Sequence, residues 1–244
     1  MTESQGTFGR ISIFEDFVGP DNDLTWGAGT VHVGQLGFVS VNEGSFEWTI
    51  DEPGGILGVT TDTGDNDNAA LMAGTFKPAD GGCVMEARFK VDSASLAAIN
   101  CGFTETLALD TPVMPFEYAT ATAAYNGSGG MVGMGYDPDA TTDDWQAFAG
   151  DAGVAAGTLT RAYATLTADE WQVVRVEIDP NGDARCYVGS NGVGEKLKLV
   201  KSFTTPVTST DVFYAFLMVE NRSAAARVLE VDYFYVGANR DWTL

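Results

Sequence analysis

Two carboxylates held about 5 Å apart on one strand would equip a retaining glycoside hydrolase. Glu177-Ile178-Asp179 begins a string of the E-x-D-x-x-E kind that could supply them. The string then fails: Pro180 and Asn181 break the strand, and glycine stands at 182 where the second glutamate is needed. Arg175 and Glu177, two residues apart, project together as a surface ion pair would. Glu43 and Glu47 miss the same spacing, as do Asp169 and Glu170. No G-x-S-x-G is present, and Gly127-Ser128-Gly129-Gly130 lacks the Lys-Ser/Thr of a phosphate loop. No catalytic set emerges, and the chain reads as a non-enzyme.

Metal chemistry has one opening. Asp62, Asp65 and Asp67 share a glycine-containing loop with Asn66 and Asn68, the oxygen donors calcium prefers, but the loop lacks the distal glutamate of helix–loop–helix sites. The chain is therefore read as holding no metal or other cofactor, and those three aspartates are where calcium would sit if it bound. A second acidic loop, Asp137-Pro138-Asp139 with Asp143 and Asp144, has less to offer. Cys83, Cys101 and Cys186 are widely spaced without a C-x-x-C pair, and His32 is the single histidine. A Cys/His zinc site is thus disfavoured, and the three thiols read as small buried hydrophobes. Tyr136 and Trp145 flank the acidic loop and are the aromatics best placed to stack on a sugar ring, with a lid folded onto the core as the structural alternative.

Positioning these residues falls to strands. Val174, Val176 and Ile178 alternate with Arg175, Glu177 and Asp179. The turn chemistry of Asp179-Pro180-Asn181-Gly182 follows, and then Ala184, Cys186 and Val188 alternate with Arg185 and Tyr187. That pattern predicts a β-hairpin over 171–188 with one buried face. Similar runs lie at 8–17, 37–41, 45–50, 56–60, 69–76, 83–91, 98–103, 116–124, 131–136, 196–203, 212–220 and 227–236, with turn signals about every ten residues. With 29 glycines and little helical periodicity, this is all-β: one β-sandwich domain over 1–244 with a short N-terminal arm of about ten residues. One helical turn could fit 92–99, and 137–161 reads as a long surface loop with a short strand near Trp145. The 212–220 strand is apolar on both faces. It is either covered twice from within or presents Tyr214, Phe216 and Met218 to another subunit.

The 244 residues carry a net charge of −21. Such a charge repels nucleic acid and anionic membranes, and it suits solubility. No apolar run approaches the ~18 residues of a transmembrane helix, and the N-terminus lacks the basic and apolar regions of a secretory signal. The sequons at Asn126 and Asn221 are read as coincidental on that ground.

The hairpin, with its leading Trp171 and the return strand ending Tyr187-Val188-Gly189, resembles the back half of a concanavalin A-like jelly roll. The ends add to the likeness. Ile13-Phe14-Glu15-Asp16-Phe17 with Leu24-Thr25-Trp26 is similar to the opening of tailed-phage virion proteins of this fold. The segments 60–71, Met85–Val91, Asn100–Phe103 and Asn221–Val236 follow in the family's order. The resemblance implies a virion structural protein assembled in the host cytoplasm. Its first reading is a decoration or cement protein outside the head, bound to the major capsid protein as a homo-oligomer, a trimer by analogy with capsid symmetry. A glycan-binding tail or fibre module is the alternative, and a glycoside hydrolase of the same fold comes third.

Overall fold

The computed structural model describes residues 10–18, 25–26, 29–33, 36–40, 44–49, 54–106, 113–119, 121–162, 164–190 and 196–239. Two antiparallel sheets face each other across one core. The first runs β18 (Lys198–Phe203), β17 (Ala184–Ser190), β16 (Gln172–Ile178), β8 (Cys83–Val91), β20 (Val228–Asn239), β6 (Leu57–Thr61), β5 (Gly44–Trp48), β2 (Thr25–Trp26), with β1 (Arg10–Glu15) also on β20. The second runs β14 (Val154–Ala155), β13 (Gln146–Asp151), β12 (Met131–Tyr136), β9 (Ala97–Thr104), β19 (Phe213–Asn221), β7 (Asn68–Phe76), β4 (Leu36–Ser40), β3 (Gly29–Val33), with β15 (Thr160–Arg161) on β13. A separate hairpin, β10 (Phe116–Ala119) and β11 (Thr122–Tyr125), completes the set. Helix among the described residues is confined to a 3-10 turn at Pro78–Asp80. This is the all-β sandwich that the alternation predicts.

The expected hairpin forms in the expected register. Val174 opposes Val188, Val176 opposes Cys186 and Ile178 opposes Ala184, with all six side chains buried. Its turn is tied by Asp179, whose Oδ1 accepts the N–H groups of Asn181 (2.8 Å) and Asp183 (3.1 Å). Gly182 closes it at φ 89°, where a Cβ would lie 2.5 Å from the Val207 carbonyl oxygen.

Three segments depart from expectation. The short strand expected near Trp145 is present as Gln146–Asp151, but it is an almost wholly buried strand of the second sheet and not part of a surface loop. Its Ala and Gly residues carry little strand propensity, so its burial is not legible in the sequence. The predicted strand 116–124 folds as a hairpin, turning through Ala121 at φ 66°. The proposed helical turn at 92–99 gives way to strand from Ala97. The N-terminal arm lies mostly outside the described residues.

The doubly apolar strand is central and covered from within. On β19, Phe213, Ala215, Leu217 and Val219 face the core between the sheets, while Phe216 and Met218 belong to a second apolar cluster with Met114, Phe116, Met131 and Phe148. The hairpin β10–β11 is the cover. Phe116 stacks on Phe148 at 4.8 Å and 9°, and glycines make room for it: a Cβ on Gly135 would come within 2.5 Å of the Phe116 ring. Phe216 and Met218 thus need no second subunit, and Tyr214 is half-buried.

Candidate functional site

The aromatics singled out for sugar stacking lie inside. Trp145 is fully buried, with its ring 6.0 Å edge-on from Phe89 and 5.9 Å from Tyr136, itself 2 % exposed. Burial pushes the Tyr136 phenol up to about 12. Neither ring has a face for a ligand; Trp145 is the folded-down lid. The aspartates of the 62–68 loop act on their own backbone. Asp62 Oδ1 accepts the Thr63 N–H at 2.7 Å, Asp67 Oδ2 accepts the Gly64 N–H at 2.5 Å, and Asp65 is exposed. No three His, Cys, Asp or Glu side chains among the described residues are gathered as a metal would need. Cys83, Cys101 and Cys186 are buried free thiols, and desolvation pushes Cys83 up to about 12.

Acidic groups do converge elsewhere, around a guanidinium. Arg222, just past β19, forks onto Asp137, with Nη2 to Oδ2 at 2.6 Å and Nε to Oδ1 at 3.2 Å. Its Nη1 reaches Asn66 Oδ1 at 2.6 Å and Glu220 Oε1 at 2.7 Å, and Glu117 on β10 stands 3.5 Å from Nη2. Asp137 also accepts the Tyr118 N–H at 2.8 Å, the Tyr118 hydroxyl donates to Gln146, and Asn100 accepts the Phe116 N–H. The cluster therefore latches the β10–β11 hairpin onto the sheet. Asp137, Arg222 and Glu220 have side-chain exposures of 0, 4 and 4 %. A cation-binding role does not fit, since the position a metal would take is held by a fixed positive charge.

An open site lies on the outer face of the first sheet. Antiparallel register lines up rows of outward side chains across β17, β16, β8, β20 and β1. One row reads Tyr187, Arg175, Glu86, Tyr235, Phe14; the next reads Arg185, Glu177, Val84, Gly237, Ser12. Beyond that lie Asn239 and its partner Arg10. The middle row is short at Val84 and Gly237, and a groove of about 700 Å³ runs there, bordered by Arg175, Arg185, Tyr235, Asn239 and Arg10. The Tyr235 hydroxyl leans over Gly237, where a Cβ would meet it at 2.5 Å, and the phenol forms part of the groove floor. Asn239 is fixed by its amide donating to the Gly81 carbonyl at 3.1 Å; a Cβ on Gly81 would stand 2.1 Å from that amide.

The charges on the walls are oriented. Arg175 Nε donates to Glu177 Oε1 at 2.7 Å and Nη1 to Glu86 Oε2 at 3.3 Å, while Glu177 Oε2 accepts the Tyr187 hydroxyl at 3.3 Å. Although burial works against its charge, these carboxylates raise the Arg175 pKa further and keep the guanidinium positive. Glu86 and Glu177 bracket a guanidinium, so they serve as fixed acceptors and not as an opposed acid–base pair. An aromatic floor with forked donors and carboxylate acceptors suits a flat, polyhydroxylated ring. The predicted Arg175–Glu177 pair is present. Tyr235, Asn239 and Arg10 were not foreseeable as a site, because only the register of β1, β8 and β20 brings them to it.

No protein-family model matches the chain, and no curated protein matches it. Solved structures do resemble it. A protein of unknown function from Shewanella oneidensis MR-1 superposes with a TM-score of 0.56 at 13 % identity, covering 97 % of this chain and 91 % of that one. Peanut lectin, solved with a 9mer peptide, gives 0.57 at 10 % identity, with 96 % and 99 % covered. Lectin I from Ulex europaeus, in complex with the methyl glycoside of α-L-fucose, gives 0.55 at 10 % identity, with 94 % and 98 % covered. The fold is that of the legume-lectin, concanavalin A-like jelly roll.

Proposed function

We propose that this chain is a non-catalytic carbohydrate-binding module whose ligand lies in the groove across β17, β16, β8, β20 and β1. The observation that carries the reading is the phenol of Tyr235 laid over Gly237 between the Arg175–Glu177 pair and Asn239. A pyranose has one apolar face for such a floor and an equatorial belt of hydroxyls for donors and acceptors at its rim. The lectin-like fold is in keeping with this, although fold alone does not set function. A glycan array probed with the purified chain tests it. Bound glycans should be lost with Tyr235→Ala and with Arg175→Ala, both still folded by circular dichroism. Retention of no glycan, or binding indifferent to both substitutions, refutes the reading.

The setting of the module is a further proposal, resting on the ordered resemblance to tailed-phage proteins and on the charge. A −21 chain is suited to the outside of a particle that packages DNA and not to its interior. In that setting the chain decorates the head or belongs to the tail as an oligomer, with subunit contacts on a surface other than Phe216 and Met218. Co-sedimentation with empty shells, read beside the gene's neighbours, separates the two positions. A strictly monomeric chain that does not attach to shells removes the decoration role.

A further inference from the structure

We infer that the groove selects acidic saccharides, its arginines reading carboxylate or sulfate groups along an extended chain. The inference rests on the carbohydrate-binding reading above and names the ligand class. Acidic residues outnumber basic ones 34 to 13, yet three guanidiniums line this one groove: Arg10, Arg175 and Arg185. Two carboxylates line it with them, Glu177 and Asp179, and a third, Glu86, stands beside it; all are engaged, Glu86 by Arg175 at 3.3 Å. Asp179 is turned onto the backbone of its own turn, and Glu177 is held by Arg175 at 2.7 Å. Arg185 stands 3.9 Å from Glu177, and 47 % of its side chain is exposed. Arg10 is exposed and forms no ion pair among the described residues.

Geometry turns these three guanidiniums into a specification. Arg185 is on β17 and Arg10 on β1, four strand spacings apart, with Arg175 on the strand next to β17. At about 4.8 Å per spacing the backbones that carry the outer two arginines are roughly 19 Å apart across the sheet. A single anion cannot span that distance; an oligosaccharide with repeated anionic groups can, with a ring on Tyr235 between them. Charge-assisted forks are the strong, directional contacts for carboxylate and sulfate alike. The rest of the molecule opposes a polyanion, so recognition has to be local. Salt near 0.1 M, with a Debye length of about 10 Å, screens the distant acids more than the contacts in the groove.

Titration calorimetry with paired oligosaccharides tests this. One pair is an oligogalacturonate and its methyl ester, and the other a sulfated galactan oligosaccharide and its desulfated form. Each acidic member should bind at least tenfold more tightly than its neutral twin. Arg10→Gln and Arg185→Gln should each remove roughly tenfold of that affinity and narrow the gap between each acidic member and its neutral twin, leaving the melting temperature unchanged. Preference in only one pair identifies the anion as carboxylate or sulfate. Equal binding of charged and neutral twins through Tyr235 overturns the acidic selectivity and leaves the carbohydrate reading standing. Failure of every oligosaccharide, neutral or acidic, to bind overturns both.

Discussion

Glu220 gives the sharpest test of how the β10–β11 latch is built. Its carboxyl is raised from an ordinary 4.5 to about 8, first because burial strips its water, with Arg222 pulling the other way. The guanidinium loses that contest because it is shared: Asp137 holds its fork, and Glu117 and Asn66 take further contacts. With the folded pKa above the unfolded one, the native state holds a proton between pH 4.5 and about 8 that the unfolded state has released. Stability then falls with rising pH by about 1.4 kcal/mol per unit. The stabilising contribution is complete below the unfolded pKa and lost once pH passes the folded one. Across the window the loss is on the order of 4–5 kcal/mol, large against the 5–15 kcal/mol of an ordinary domain. Glu220→Gln keeps the shape and removes the proton. Urea midpoints for both proteins at pH 5, 6, 7 and 8 isolate the residue, since the self-repulsion of the remaining acids is common to both. The curves should nearly meet at pH 5 and diverge upward, with the variant the more stable by several kcal/mol at pH 8. Parallel curves, or a variant that weakens as pH rises, would refute the reasoning and make Glu220 an ionised, net-stabilising partner of Arg222.

Two further outcomes follow from packing. Phe216→Asp should unfold the chain and not split an oligomer, because an unpaired carboxylate under the hairpin costs several kcal/mol; sedimentation with circular dichroism reads this, and a folded, dissociated variant would restore a subunit contact there. Gly133→Ala should cost about 1–3 kcal/mol or more, since its Cβ would come 2.5 Å from the Cys101 carbonyl oxygen and 2.9 Å from the Phe148 ring; an unchanged melting temperature would show that β9 and β12 can separate freely.

Strands with polar–apolar alternation were legible because a period of two needs no partner to be read. The β16–β17 hairpin and the β8 strand, buried at every second residue from Cys83 to Val91, are of this kind. Legibility ended where both faces are covered. Gln146–Asp151 is buried through Gly150 and alternates nothing, so the sequence offers a short strand near Trp145 but not its burial or its place in the sheet. Strand β19 presented its ambiguity openly, as apolar residues on both sides. What the sequence could not say is that the second cover is a hairpin of the same chain, because the fit of Phe116 over Gly135 and against Phe148 joins residues from three elements.

The same limit explains why the groove went unread while its parts were in view. Arg175 and Glu177 announce themselves by local spacing, and they are a pair on any solvated strand. Tyr235 and Gly237 announce nothing except that a small residue sits two places from an aromatic one. Their meaning comes from register: β20 sets Gly237 beside Val84 on one side, and β1 on the other brings Arg10 to the same groove. A charged surface is ordinarily solvent's business, and in a chain of −21 an arginine is expected to be consumed by neighbouring acids. Arg222 obeys that expectation so completely that only 4 % of its side chain stays exposed. Arg185, at 3.9 Å from its one acid, and Arg10, without an ion pair among the described residues, depart from it. Arginines of the minority sign beside Tyr235 are the groups that the proposed acidic saccharide would engage.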